Sequence, residues 1–156
     1  MSRPLAFLAL FVLTLSWGAA LTAAPVAASP RVAALTYAAG SLICHQRPER
    51  SFHYQGAQSP VCARCFGLYT GAVAGVLLWA AAAGVGSRPR TRTMPLTNTR
   101  VIRRLLFLIA LPTMVSVTAS WLGWWEAGNI VRAALAAPLG AAIAAVIAAV
   151  AAGDLR

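Results

Sequence analysis

The sequence has very few acidic residues. Glu49, Glu126 and Asp154 are its only carboxylate side chains among 156 residues, and no two of them are near each other in the chain. It contains no paired carboxylates, no serine–histidine–acid set and no glycine-rich phosphate loop. General acid–base hydrolysis, triad hydrolysis and phosphoryl transfer each need one of these arrangements. Hydrolase and kinase functions are therefore disfavoured.

Charge of either sign is scarce. Only 10% of the residues are charged, whereas 60% are hydrophobic and the mean hydropathy is +0.72. A soluble domain carries about 25% charged residues. A chain with so little polar surface cannot cover a water-soluble globule, so the composition predicts a single membrane domain.

The positive charge is carried entirely by arginine. The chain has 13 basic residues, none of them lysine, and a net charge of +10. The arginines lie between the long apolar runs, where positive charge sets membrane topology. No basic–aromatic nucleic-acid pattern accompanies them, so we expect the partner to be the lipid bilayer and not nucleic acid.

Four uncharged apolar runs predict an all-α integral membrane protein with four transmembrane helices. The predicted spans are residues 5–28, 65–86, 105–125 and 133–153. Each reaches the roughly 20 residues that cross the hydrocarbon core. The first run also has the outline of a signal peptide, with Arg3 before an apolar stretch and small residues near Ala28. Cleavage there would leave three helices.

The loops predict the orientation. Residues 87–104 carry six arginines and no acid, which places this Arg-rich loop in the cytoplasm by the positive-inside rule. The loop of residues 29–63 then lies on the outer face of the cell (inner, cytoplasmic) membrane. Residues 31–43 have helical composition, and the rest of this loop is polar and turn-rich.

All three cysteines and both histidines lie in the outer loop and at the start of the second span. Cys62 and Cys65 form a CxxC pair, a usual half-site for zinc, and Cys44 lies 18 residues before Cys62. Together with His45, or with His53 as the alternative, they supply a Cys3His set. The predicted cofactor is zinc.

Three other interpretations of the same stretch stay open. Cys62 and Cys65 at a helix start match thiol–disulfide oxidoreductases, with Cys44 as a resolving thiol. The second interpretation is a structural disulfide between two of the cysteines, which leaves the third cysteine unpaired. The third is an anion site for a lipid phosphate or small ligand, formed by the arginines and polar residues Arg47, Arg50, Arg64, Gln46, Ser51, Tyr54 and Gln58.

The second span has two different faces. Ser59 and Pro60 match an N-cap followed by a first-turn proline, which predicts a helix that already contains Cys62. On such a helix Cys62, Cys65, Phe66 and Tyr69 share one face. The opposite face carries a glycine ridge, Gly67, Gly71 and Gly75, which is typical of close helix packing. An assembly protein that packs through this ridge, with a partner helix or as a homo-oligomer, is a further hypothesis.

The motif resembles a family of small predicted membrane proteins, chiefly bacterial, known as domain of unknown function 2085. The resemblance covers roughly residues 40–145, and the matching positions are Cys44, His45, Gln46, Arg50, Ser51, Phe52, Gly56, Pro60, Val61, Cys62, Arg64, Gly67, Tyr69, Gly71, Asn129, Arg132 and Gly140. An Asp-Gly pair common in the family is missing here, where residues 115–119 contain no acid. His53 lies outside the pattern, which favours His45, and some members lack the cysteine at the position of Cys65. The resemblance implies a multi-pass membrane protein and brings no established activity.

Overall fold

The computed structural model describes residues 3–26, 29–83 and 99–153. These residues form five α-helices and one β-hairpin: α1 (Arg3–Ala23), α2 (Pro30–Ile43), β1 (Ser51–Tyr54), β2 (Ala57–Cys62), α3 (Ala63–Ala83), α4 (Thr99–Trp121) and α5 (Asn129–Ala152). Short 3₁₀ turns, Ala24–Val26 and Pro48–Arg50, follow α1 and precede β1.

Four of the helices are long and apolar enough to cross a membrane. The qualifying stretches are Leu5–Val26, Ala63–Ala82, Thr99–Trp121 and Asn129–Ala152. The predicted all-α membrane fold with four transmembrane helices is confirmed. The remaining helix, α2, has 14 residues and falls where the sequence predicts a helix in the outer loop.

Helix α4 starts and ends earlier than the sequence predicts. Residues 99–104, assigned to the Arg-rich loop, form its first turns, because arginines at a span end extend their head groups to water. The helix ends before Gly123, whose φ of +71° is the left-handed conformation that closes helices. Residues 122–125 therefore form a turn. Residues 27–28, 84–86 and the arginines at 88, 90 and 92 lie outside the described residues.

The centre of the bundle is the contact between α3 and α5. A Cβ atom built on Gly67, Gly71 or Gly75 would lie 2.1 Å from a backbone carbonyl oxygen of α5. The facing residues are Ala133, Ala137 and Ala141. The two backbones thus touch at three points along about two helical turns, and the glycines of α3 permit this approach because they have no side chains. The glycine ridge packs within the chain.

The other two long helices flank this pair. The ring of Phe7 in α1 lies 4.8 Å from that of Trp79 in α3. On α4, Thr113 Oγ1 donates a 2.6 Å hydrogen bond to the carbonyl of Leu135 in α5. Large apolar side chains of α4, such as Phe107 and Met114, are exposed on the outside of the bundle. Such a surface is stable in contact with lipid tails.

A β-hairpin stands where the sequence predicts the first turn of the second span. Ser59 and Pro60 belong to β2, and α3 begins only at Ala63, so their assignment as a helix cap is wrong. The strands are joined by Gln55 and Gly56, which both have positive φ (51° and 84°). This is the backbone of a two-residue hairpin turn. Cys62 is consequently the last residue of a strand.

Candidate metal centre

Three separate elements bring the three cysteines together. Cys44 follows the end of α2, Cys62 ends β2, and Cys65 lies in the first turn of α3. Their Sγ atoms all lie within 4.8 Å of one another. All three are free thiols and half-buried. Cys44 thus folds back onto the CxxC pair across 18 residues of loop and hairpin.

The approach of Cys44 depends on close contact between α2 and β2. The Cys44 N–H donates to the carbonyl of Gly40 at 2.9 Å, and its Sγ accepts the N–H of Cys62 at 3.1 Å. A Cβ on Gly40 would lie 2.3 Å from the carbonyl oxygen of Pro60. Gly40 therefore lets the end of α2 lie directly against the strand that carries Cys62.

Gln46 connects the loop after α2 to both of its neighbours. Its φ is +47°, and its Nε2 donates to the carbonyls of Tyr37 at 2.9 Å and Pro60 at 2.6 Å. Gln58 Nε2 donates in turn to the carbonyl of Gln46 at 2.5 Å and to Ser51 Oγ at 3.2 Å. These motif residues satisfy backbone groups inside the loop, so their side chains position the cysteines.

The two histidines lie apart from the thiols. His45 and His53 are both exposed, and neither belongs to the metal-ligand cluster found in the described part of the chain. His45 follows Cys44 directly, and neighbouring side chains diverge in extended backbone. Tyr69 lies one turn after Cys65, with its ring edge-on to Trp17 at 5.8 Å. The structure thus assembles three sulfur atoms without a histidine.

The thiol of Cys62 is acidic. A hydrogen bond from the Cys65 thiol lowers the pKa of Cys62 to about 5, against the opposing effect of desolvation. The backbone N–H groups of Cys65 and Arg64, and the Cys44 thiol, lower this pKa further. The N-terminus of α3 adds the positive end of its dipole. Cys62 is therefore a thiolate at neutral pH, the form that binds metals and attacks disulfides.

This acidity predicts an unusual alkylation profile. In reduced, metal-free protein, the iodoacetamide reaction at Cys62 should be nearly independent of pH between about 6 and 8, because the thiolate is already formed. Residue-resolved mass spectrometry measures the rate. Cys65→Ala removes the main hydrogen-bond donor to Cys62 and should raise the Cys62 pKa. The pH below which the alkylation rate falls should therefore be higher in this variant. A wild-type rate that rises roughly tenfold per pH unit across this range, as for an ordinary thiol, would contradict the prediction.

The arginines of the hypothetical anion site have different partners. Arg64 Nη2 donates to the Ser116 carbonyl at 3.0 Å and to Ser120 Oγ at 3.3 Å, so this side chain joins α3 to α4. Arg47 is exposed, whereas Arg50 makes an ion pair with Glu126 at 3.3 Å. An anion site formed by these arginines stays a prediction.

A second polar group joins the hairpin to α5. Glu126 pairs with both Arg50 and Arg132, and Asn129 Nδ2 donates to the carbonyl of Ser51 at 2.9 Å. Sequence reasoning missed the contact between Arg50 and Glu126. The two residues are 76 positions apart, so no local spacing links them, and their opposite charge is the only signal in the sequence.

Comparisons with known proteins match a family model and uncharacterized relatives. A family model described as "Predicted membrane protein (DUF2085)" matches residues 44–146. An uncharacterized protein of Methanocaldococcus jannaschii is 56% identical over 43 residues, a segment that spans 28% of each chain. An uncharacterized protein of Methanothermobacter thermautotrophicus is 31% identical over 98 residues, which cover 63% of this chain and 78% of that protein. No solved structure matches the chain.

Proposed function

This chain belongs to the DUF2085 family of predicted membrane proteins, and we propose that its cysteine cluster is a metal-binding centre at the outer face of the cytoplasmic membrane. The observation that carries the proposal is the convergence of three Sγ atoms within 4.8 Å. Sulfur ligands about 2.3 Å from a tetrahedral zinc ion lie roughly 3.8 Å apart. Small rotations of Cys44, Cys62 and Cys65 reach that spacing.

The donor set defines the kind of metal centre. Three thiolates suit zinc, and they also suit Cu(I), which prefers soft ligands. With His45 and His53 exposed, the three cysteines leave a fourth position for water or an incoming ligand. His45 can complete the predicted Cys3His set only if the loop after α2 rearranges. The acidic Cys62 is deprotonated at neutral pH, which is the form that a bound metal requires of a cysteine ligand.

The charge distribution supports the outer location. The contact between Arg50 and Glu126 places the hairpin and the α4–α5 turn at one end of the bundle. The first turns of α4, with Arg100, Arg103 and Arg104, therefore lie at the other end. Positive charge favours the cytoplasmic side, so the cysteine cluster faces outward.

Metal analysis and cysteine redox state, measured on the same detergent-purified sample, test the proposal. We expect about one equivalent of zinc or another thiophilic metal per chain and three reduced cysteines. Cys62→Ser should lose the metal, whereas His53→Ala should keep it. Protein that contains no metal after purification, and takes up none when reduced and supplied with zinc or Cu(I), would refute the proposal.

The acidic Cys62 supports one other candidate function, thiol–disulfide exchange. The Cys62 thiolate would attack a disulfide of a client protein and release one client thiolate. The Cys65 thiolate would then attack the Cys62 sulfur and release the second, so the client is reduced and the CxxC pair is oxidised. Alkylation trapping in cells separates the two functions. Redox exchange requires a population with a Cys62–Cys65 disulfide, whereas a metal centre keeps both cysteines reduced.

The assembly hypothesis has less support. Its surface was the glycine ridge of α3, and Gly67, Gly71 and Gly75 contact α5 of the same chain. A partner helix would have to displace α5 to reach it.

A further inference from the structure

A charged cavity lies beside the hairpin, apart from the cysteines. It is an open depression of about 490 Å³ between the turn before β1 and the start of α5. Its lining residues are Glu49, Arg50, Glu126, Ala127, Gly128, Asn129 and Arg132. The proposed metal centre uses none of them.

The cavity has more cationic hydrogen-bond donors than its own acids satisfy. Arg132 is only 5% exposed, and no described residue accepts a hydrogen bond from its buried Nε. Its terminal nitrogens donate to Asn129 Oδ1 at 3.3 Å and to Glu126. Arg50 shares the same Glu126 carboxylate, whose side chain is 54% exposed. Two guanidinium groups thus share one partly solvated anion.

The first turn of α5 adds to this positive character. Gly128 is its N-cap, so no side chain caps the free N–H groups of Asn129, Ile130 and Val131. Backbone N–H groups at a helix start bind anions such as phosphate. Together with Arg50 and Arg132 they form a site for a phosphate group.

The same cavity also offers negative charge. Glu49 is exposed at its edge, and Glu126 lies between the two arginines. A ligand with a phosphate alone would meet these carboxylates. A ligand with a phosphate and a nearby ammonium group would pair with both kinds of charge.

The position of the cavity indicates a lipid. Trp121 and Trp124 are 90% and 80% exposed, and Trp125 directly precedes Glu126. Exposed tryptophans at the end of a span lie at the level of the lipid head groups. The cavity is therefore at the depth where phosphates and amines of phospholipids are most concentrated.

We propose that this cavity binds the head group of an aminophospholipid such as phosphatidylethanolamine. The phosphate pairs with Arg50, Arg132 and the start of α5. The ammonium group donates to Glu49 and Glu126.

Native mass spectrometry of the full chain, delipidated in detergent, tests the proposal. Phosphatidylethanolamine, phosphatidylcholine and phosphatidylglycerol with identical acyl chains are added in turn. We expect phosphatidylethanolamine to bind about tenfold more tightly than the other two, because phosphatidylcholine has no ammonium N–H and phosphatidylglycerol has no ammonium. Equal affinity for all three lipids would refute the proposal.

Two variants separate the two halves of the site. Arg50→Ala should weaken the binding of phosphatidylethanolamine and of phosphatidylglycerol to the same extent. Arg47 is exposed and lies outside the cavity, so Arg47→Ala should change the binding of neither lipid. Glu49→Gln should reduce phosphatidylethanolamine binding to the level of phosphatidylglycerol. Because Glu49 is exposed, this variant does not depend on a buried contact of the fold. Unchanged selectivity in Glu49→Gln, or equal effects of the two arginine variants, would overturn the assignment.

Two more measurements identify the ligand source and the site. Water-soluble glycerophosphoethanolamine should bind far more weakly than the lipid; equally tight binding would make the ligand a soluble zwitterion and overturn the lipid assignment. Cys62→Ser should keep the lipid preference, since the cavity contains no cysteine. Loss of the preference in that variant would place lipid binding at the cysteine cluster and contradict the proposal.

Discussion

Gly71→Leu is expected to lower the free energy of unfolding by about 3 kcal/mol or more. Even a Cβ atom at this position would lie 2.1 Å from the carbonyl oxygen of Ala137 and 2.8 Å from its Cα. These are backbone atoms of α5, so no side-chain rotation relieves the clash. The two helices must separate, and they lose the backbone contact that extends from Gly67 to Gly75.

Ala74→Leu is the matched control. Ala74 lies on α3, three residues after Gly71, and is exposed on the outside of the bundle. A leucine there extends into lipid or detergent and should leave stability nearly unchanged. Unfolding by a denaturing detergent, followed by circular dichroism, measures both variants. Equal stability of Gly71→Leu and wild type would show that α3 and α5 are not in contact as described.

The ridge shows how far sequence reasoning reaches in this fold. The spacing of Gly67, Gly71 and Gly75 predicts a packing face correctly, because residues four apart lie on one side of a helix. It does not identify the partner. Helix α5 contains twelve alanines, so residue type alone does not identify the three that face the ridge. The register between α3 and α5 is set by close contact of the two backbones, for example where Gly140 of α5 approaches the backbone of Leu68 in α3.

The hairpin shows where local rules fail. Ser59 and Pro60 match the residue types that start a helix, so local rules predict a helix here. The outcome depends on contacts from elsewhere in the chain. Pro60 provides the carbonyl that accepts from Gln46, and Tyr37 OH donates to the carbonyl of Gln58. Tertiary hydrogen bonds of this kind override local propensity.

The cysteine cluster lies between these two cases. The CxxC spacing predicts that Cys62 and Cys65 are close, but it does not show whether Cys44 lies beside them. The position of Cys44 depends on Gly40, which permits close approach of α2 to β2, and on the left-handed backbone of Gln46. Neither feature follows from metal-ligand spacing. The family pattern favours His45 over His53 as the fourth ligand, yet the exposed side chain of His45 lies outside the cluster.

Zinc at about 100 times its dissociation constant should raise the free energy of unfolding of the wild-type protein by about 2.7 kcal/mol, provided that the unfolded chain does not bind it. Cys44→Ser is expected to remove this increment. Cys44 is the only one of the three proposed ligands that follows α2, so a bond from Cys44 to the metal would join that helix to β2 and α3. A serine Oγ still accepts the N–H of Cys62, so the loop keeps its hydrogen bond while it loses the sulfur ligand.

The neighbouring histidine provides the control for this last experiment. His45→Ala changes an exposed residue next to Cys44, and it should keep the full zinc-dependent increment if three thiolates form the centre. Thermal unfolding with zinc and with a chelator measures each variant. If His45→Ala loses the increment as Cys44→Ser does, the loop rearranges to a Cys3His centre. If Cys44→Ser keeps it, the metal is held by Cys62 and Cys65 alone, and α2 is not part of the centre.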